Sequence, residues 1–168
     1  MGKLSNEIGN RYGRLEVISR ADNDGTHDTS SVLSLGSWGL YNGASDGHVA
    51  YCFHSVEGYS KIGTYIGNGS TDGTFVYCNH KPKYVMIKRT DTTGNWIVVD
   101  IERGLYNSVD DILYPNLSNA EASNSTLDVD FTSNGFKLRT TDANMNASGG
   151  TYLFYSIAEN PFKYSNAR

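Results

Sequence analysis

Short apolar runs alternate with clusters of turn-forming residues from Ser60 onward, at the spacing typical of an all-β sandwich or barrel. The pattern predicts seven strands, near residues 61–66, 74–79, 83–90, 95–102, 127–132, 135–140 and 151–158. Residue pairs that favour tight turns separate several of these runs: Asn68-Gly69, Asp72-Gly73, Gly94-Asn95 and Asn134-Gly135. We therefore expect antiparallel hairpins.

The hairpin within residues 83–102 is apolar on both of its faces. Because side chains alternate along a strand, its apolar residues fall into two sets. One face carries Tyr84, Met86, Trp96 and Val98, and the other carries Val85, Ile87, Ile97, Val99 and Ile101. Such a hairpin belongs in the middle of a layered structure or against a neighbouring subunit.

Two segments depart from the strand pattern. Val109, Ile112 and Leu113 have helical spacing and predict one helical turn that Pro115 would end, inside a long irregular loop. Residues 1–45 contain one strand-like run and a long polar stretch, which predicts an extended N-terminal arm. The expected organisation is an arm over residues 1–45 and an antiparallel sandwich or jelly roll over residues 46–168.

Composition narrows the classes of partner. The chain has 168 residues, enough to bury a core in one domain, and its 12 Tyr and 18 Gly favour strands and turns. With a net charge of -4 and scattered Lys and Arg, it shows no basic stripe, so nucleic acid is not an expected partner. No apolar run approaches the length of a membrane span, and we expect a soluble protein made in the cytosol without membrane insertion. Two cysteines do not predict a disulfide framework.

Three motifs follow one another in a specific order and spacing: GYSK at 58–61, YVMIKR at 84–89 and ENPFK at 159–163. Through them, residues 47–168 resemble a repeated β domain of bacteriophage virion proteins, especially tail-fibre and tail-structural proteins of marine phages. The resemblance implies a non-enzymatic component of the virion, in the tail or tail fibre, with no cofactor and no catalytic residues. It also implies other virion proteins as partners and a symmetric assembly, for which we expect a homotrimer. The alternatives are a capsid decoration protein and a lectin-like adhesin that binds a host-surface glycan.

The N-terminal segment carries a second, shorter resemblance. NEIGNRYGRLEVISRADND, within residues 6–24, is similar to the opening of phage HNH endonucleases. The similarity stops before any cysteine cluster or His-Asn-His motif, and His27 is isolated. The nuclease chemistry is therefore not expected, and we interpret the segment as a reused leader that docks on another virion protein.

A Cys-x-His pair occurs twice, as Cys52 with His54 and as Cys78 with His80. Residues at i and i+2 share a strand face, so two adjacent strands could offer two thiolates and two imidazoles to one zinc ion. Structural zinc sites usually have spacings of two to four residues on turns, however. A simpler interpretation makes the cysteines small buried hydrophobes and the histidines rim residues, and we predict no metal site.

Acidic pairs on single strand faces are candidates for catalytic carboxylates. Asp100 with Glu102 and Asp128 with Asp130 both have this spacing, but a half-solvated strand shows the same alternation without catalysis. We predict no enzymatic activity.

Outward loops are the expected binding surface. The candidate residues are Asn68 and Asp72 in one loop and Asp142 and Asn146 in another. Six tyrosines could stack on sugar rings or fill the core: Tyr59, Tyr65, Tyr77, Tyr106, Tyr114 and Tyr164. The sequence does not decide between these two roles.

Overall fold

The computed structural model of the chain describes residues 51, 53–104, 106–123 and 126–162. Nine strands run through these residues, and every pairing between them is antiparallel. In chain order they are β1 Ser60–Ile66, β2 Phe75–Tyr77, β3 Pro82–Arg89, β4 Trp96–Asp100, β5 Asp111–Leu113, β6 Ala122–Ser123, β7 Val129–Thr132, β8 Gly135–Leu138 and β9 Thr151–Ala158. The described ranges contain no helix, and so none that is long and apolar enough to cross a membrane.

The strands form two sheets. The larger sheet has six strands in the order β1-β9-β3-β4-β5-β6, and the smaller has three in the order β2-β8-β7. Inward-facing residues of both sheets share one hydrophobic core, so the fold is an all-β antiparallel sandwich, as the sequence predicts. Sheets of six and three strands favour the sandwich over the jelly roll, which the sequence also allows.

The core lies between the sheets and depends on strand alternation. In β9 every second side chain is buried, beginning with Tyr152 and Phe154. Phe154 meets Phe136 of the smaller sheet edge to face, with 5.5 Å between the ring centroids. Burial of a large apolar side chain contributes about 1.5–3 kcal/mol relative to exposure, so this shared layer is what holds the two sheets together.

The seven predicted strands are confirmed, with ends that differ from the prediction by at most two residues. The two apolar faces of the β3–β4 hairpin are confirmed as well. Its register pairs Val85 with Val99 on the core face and Met86 with Val98 on the opposite face.

The predicted helical turn near Val109 is wrong. Residues 111–113 form the short strand β5, in which Ile112 pairs with Val99 and is fully buried. Val109 is also buried and makes a β-bridge with Val129. Val109 and Ile112 both point to the core. Sheet pairing satisfies their backbone N–H and C=O groups, whereas a single helical turn would leave most of these groups unpaired.

Three predictions fall on residues outside the described ranges. These are the arm over residues 1–45, the domain boundary near residue 45 and the leader within residues 6–24. They stay predictions.

Candidate assembly and binding surfaces

The outer face of the larger sheet carries a continuous line of apolar side chains across five strands. In the register of the sheet, Ile62 lies opposite Tyr155, Tyr155 opposite Met86, Met86 opposite Val98, and Val98 opposite Leu113. We call these five residues the apolar row. Val98 is buried and the other four are half-buried. The outer face of a sandwich sheet is normally polar, so this row is a surface that gains from being covered.

Further apolar side chains flank the apolar row on the same face. Tyr84 meets Tyr155 edge to face, with 6.4 Å between ring centroids, and Leu153 lies opposite Lys88. Trp96 lies opposite Lys88 in turn and is 97% buried, and its indole Nε1 has no hydrogen-bond partner among the described residues. Lys88 is also buried; its Nζ donates to the Arg89 carbonyl at 2.7 Å, and burial lowers its pKa. This face is therefore apolar well beyond the row.

The free edge of β1 is largely closed by local hydrogen bonds. The backbone of Ser60 pairs with that of Val56, and the Ser55 hydroxyl bonds both the N–H and the carbonyl of Ile62. At the other end of the strand, the Thr74 hydroxyl donates to the Ile66 carbonyl at 2.7 Å. Edge strands that are occupied in this way do not readily add a strand from another chain, so this edge is not an expected docking site.

The two loops that the sequence marks for binding lie next to each other at one end of the sandwich. Residues 68–73 and 142–149 are joined through Asn146, which is fully buried. Its Oδ1 accepts from the Asn68 backbone N–H at 3.0 Å. Its Nδ2 lies within 2.7–2.9 Å of three oxygens, those of the Asn68 side chain and of the Ser70 and Thr140 carbonyls.

Two tyrosines support this loop pair from below. Tyr65 and Tyr152 stack with centroids 5.0 Å apart, and burial raises the pKa of both hydroxyls. The Tyr65 hydroxyl donates to the Met145 carbonyl at 2.7 Å. The Tyr152 hydroxyl donates to the Ala143 carbonyl at 2.8 Å and accepts from the Ala147 N–H at 2.7 Å. The loop over residues 142–149 is thereby fixed to the core.

The smaller sheet presents an aromatic pair on its outer face. Phe75 and Tyr77 of β2 are 45% and 55% exposed, while Val76 between them is buried in the core. Lys137 lies opposite Phe75 and Gly135 opposite Tyr77. The two exposed rings form a small aromatic patch on which a flat apolar ligand surface can stack.

A family model described as a domain of unknown function, DUF7483, matches residues 13–161. The chain belongs to the DUF7483 family. The match includes most of the predicted N-terminal arm over residues 1–45, as well as all nine described strands. No curated protein and no solved structure matches the chain.

The four loop residues predicted for binding in this DUF7483 protein have different positions. Asp72 projects to solvent, with its side chain 80% exposed, and Asn68 is exposed. The prediction that Asn146 faces outward is wrong, because its amide is fully buried and holds the two loops together. Asp142 is half-buried and accepts from the Asn144 N–H at 2.7 Å, so it shapes its own loop.

The Cys-x-His residues do not converge among the described residues. Cys78 is buried in the hydrophobic core, and burial raises the pKa of its thiol. His80 lies 3.2 Å from the Ser156 hydroxyl through Nε2, whereas His54 is exposed and its Nδ1 lies 3.0 Å from the Ser55 carbonyl oxygen. The described ranges contain no group of three His, Cys, Asp or Glu side chains arranged to hold a metal. Cys52 lies outside the described residues.

The acidic pairs sit at two different places. Asp100 ends β4 and accepts from the Glu102 backbone N–H at 2.9 Å, so it shapes the following turn. Glu102 forms an exposed ion pair with Lys83 at 3.2 Å. Burial raises the pKa of Asp128, and the negative charges of Asp110 and Asp130 raise it further. We predict no catalytic role for either pair, and this stays a prediction.

Of the six tyrosines, only some are available to a ligand. Tyr65 is buried, Tyr114 is half-buried and packs against the core, and Tyr164 lies outside the described residues. Tyr59, Tyr77 and Tyr106 are exposed. Phe75, which stands beside Tyr77, was not singled out from the sequence, although strand alternation in residues 74–79 already puts the two rings on one face.

Proposed function

We propose that this DUF7483 protein is a non-enzymatic structural component of a bacteriophage virion, located in the tail or tail fibre. The resemblance of residues 47–168 to virion β domains supports this assignment to the particle. The observation that carries the structural role is the apolar row on the outer face of the larger sheet.

The apolar row gives a physical reason for assembly. Covering apolar surface contributes roughly 25 cal/mol for each Å² removed from water, and this favours a partner on that face. Because local hydrogen bonds largely close the β1 edge, strand addition at that edge is disfavoured, and we propose that the partner packs on the face. We propose a homotrimer in which each chain covers the row of a neighbour, with other virion proteins as further partners.

Oligomeric state in solution tests the assembly role. Sedimentation equilibrium of the full chain should give three chain masses, and Met86→Glu in the middle of the row should give one, because a carboxylate cannot be buried there unpaired. Ser133→Glu is the control, since Ser133 is exposed in the turn between β7 and β8 of the smaller sheet, away from the apolar row. A wild-type chain that stays monomeric at every concentration tested would contradict the proposal.

Location in the particle tests the virion role separately. Antibodies against the purified chain, applied to intact phage particles under the electron microscope, should label the tail. Copurification with tail-less capsids would instead identify a capsid decoration protein. Absence of the chain from purified particles would overturn the virion assignment, whatever its oligomeric state.

A further inference from the structure

The aromatic pair on the outer face of the smaller sheet is held in a fixed arrangement. Phe75 and Tyr77 are separated by one residue of an extended strand, which puts their Cα atoms about 7 Å apart on the same face. The Phe75 ring lies over Gly135 of β8, where an added Cβ would be 3.1 Å from its Cζ atom. The Tyr77 hydroxyl donates to Asn79 Oδ1 at 2.6 Å. Both rings therefore lose little freedom when a ligand stacks on their exposed sides.

A chain of charged side chains borders the aromatic pair. Lys137, opposite Phe75, contacts Asp72 Oδ1 with Nζ at 2.6 Å. Arg139 approaches the same oxygen at 3.4 Å through Nη1 and donates to Asp130 Oδ2 at 2.5 Å through Nε. The hydrogen bond from Lys137 lowers the pKa of Asp72, which keeps its carboxyl ionised as an acceptor.

The charge balance of this border indicates which chemistry it suits. Two cations and two carboxylates alternate, and Asp128 adds a further carboxylate beside Asp130, so the surface offers both donors and acceptors without an excess of positive charge. A polyanion such as a nucleic acid strand would meet Asp72 and Asp130 as well as the cations, and it gains little here. A polyhydroxylated, uncharged ligand can use every group, because each hydroxyl both donates and accepts.

We propose that the outer face of β2 and β8 is a glycan-binding site. A sugar ring stacks through its apolar C–H face on Phe75 and Tyr77, and the sugar hydroxyls bond Lys137, Asp72 and Arg139. This arrangement combines flat apolar contact with a few placed polar groups, which is the general pattern of small-ligand sites. The site lies on the sheet opposite to the apolar row, so it does not depend on the proposed assembly.

A glycan microarray carrying bacterial polysaccharides and lipopolysaccharide O-chains provides the probes. The full chain should bind at least one uncharged glycan, and calorimetric titration with that glycan should then give its affinity. Tyr77→Ala and Phe75→Ala should each weaken binding at least about tenfold, which corresponds to about 1.4 kcal/mol. Tyr106→Ala, which removes an 84% exposed tyrosine from a different loop, should bind like the wild type.

Fold integrity is checked for each variant by circular dichroism and thermal unfolding, because Phe75 also covers Gly135. If Phe75→Ala unfolds, Tyr77→Ala carries the test, since Tyr77 is the more exposed of the two rings at 55%. Three results would overturn the proposal: no glycan retained on the array, affinities of both variants within twofold of the wild type, or loss of self-association in place of glycan binding. The last result would identify the aromatic pair as a contact between copies of the chain.

Discussion

Asn68 and Asn146 form a reciprocal amide pair across 78 residues of sequence: Asn146 Oδ1 accepts from the Asn68 N–H, and Asn146 Nδ2 donates to Asn68 Oδ1. The pair is the junction at which the two loops predicted for binding meet. Asn146 is fully buried, so its side of the pair is shielded from water. The loop that carries the exposed Asp72 is positioned by this side chain together with backbone bonds, such as that from the Gly69 N–H to the Asn146 carbonyl at 2.8 Å.

Replacing the buried amide is the first prediction. Asn146→Ala should lower the free energy of unfolding by about 3 kcal/mol, because it leaves the Asn68 N–H and the Ser70 and Thr140 carbonyls without their buried partner. Urea unfolding followed by tryptophan fluorescence measures the change. Asn144→Ala, at a half-buried position in the same loop, is the control and should cost less. Equal losses of unfolding free energy in the two variants would show that the buried hydrogen bonds of Asn146 contribute no more to stability than those of Asn144.

The stacked tyrosines give the second prediction. Tyr65→Phe removes one hydrogen bond, to the Met145 carbonyl, and should cost about 1 kcal/mol. Tyr152→Phe removes two, those to Ala143 and Ala147, and should cost about 2 kcal/mol. Tyr106→Phe, at an exposed position, should leave stability unchanged. Chemical denaturation ranks the three variants by their free energies of unfolding. A larger loss of stability in Tyr65→Phe than in Tyr152→Phe would contradict the expected order.

The sequence specifies the long strands well because their alternation is unambiguous. In β9, eight residues alternate between half-buried and buried positions without interruption, and the prediction of residues 151–158 matches both ends. The failures concern short strands. β5 has three residues and β6 has two, and the apolar residues around β5 fit a helical spacing as well as a strand period, whereas the equally short β2 lies in a β-favouring run between turn signals.

The candidate sites were harder to predict because they depend on tertiary contacts. Turn residues such as Asn68 and Asn146 have the same local signature whether the side chain points to solvent or into a neighbouring loop. Glycines have the same ambiguity. Gly69 has a positive φ of 66°, as a turn requires, but Gly73 is needed for space, since an added Cβ would lie 2.4 Å from the Leu138 carbonyl oxygen. That carbonyl is 65 residues away in sequence.

His80 gives a prediction of pH dependence. Burial lowers its pKa, and the positive charge of Lys61 lowers it further. Because the folded-state pKa lies below the unfolded value of 6.5, the contribution of His80 to stability is complete above that pH and is lost as pH falls through the folded-state pKa. His80→Gln should therefore lose less stability than the wild type when pH is lowered from 8 to 5, as measured by urea unfolding at each pH. If the free energy of unfolding changed with pH in the same way in both proteins, a lowered folded-state pKa of His80 would be contradicted.

Asp128 and Asp91 give the last prediction, in which the same substitution has opposite effects. Asp128 has a raised pKa, first from burial and then from the charge of Asp110, so its ionised form destabilises the folded state. Its stabilising contribution is present below the unfolded value of 3.8 and is lost as pH rises through the folded-state pKa. Asp128→Asn should therefore raise the free energy of unfolding at pH 7, and the gain should shrink as pH falls.

Asp91 is the matched control at an exposed position. The hydrogen bond from Arg89, 2.8 Å from Nε to Asp91 Oδ1, lowers the pKa of its carboxyl. Its contribution to stability is present above pH 3.8 and is lost as pH falls through the folded-state pKa, so Asp91→Asn should destabilise the protein at neutral pH. Denaturation of both variants from pH 7 to pH 3 separates the two cases, because a general effect of removing one negative charge from a chain of net charge -4 would move both in the same direction. We expect the two variants to change the free energy of unfolding in opposite directions at pH 7, and both changes to shrink toward zero at low pH. This result requires that the local environments of the two carboxyls differ as their contacts indicate.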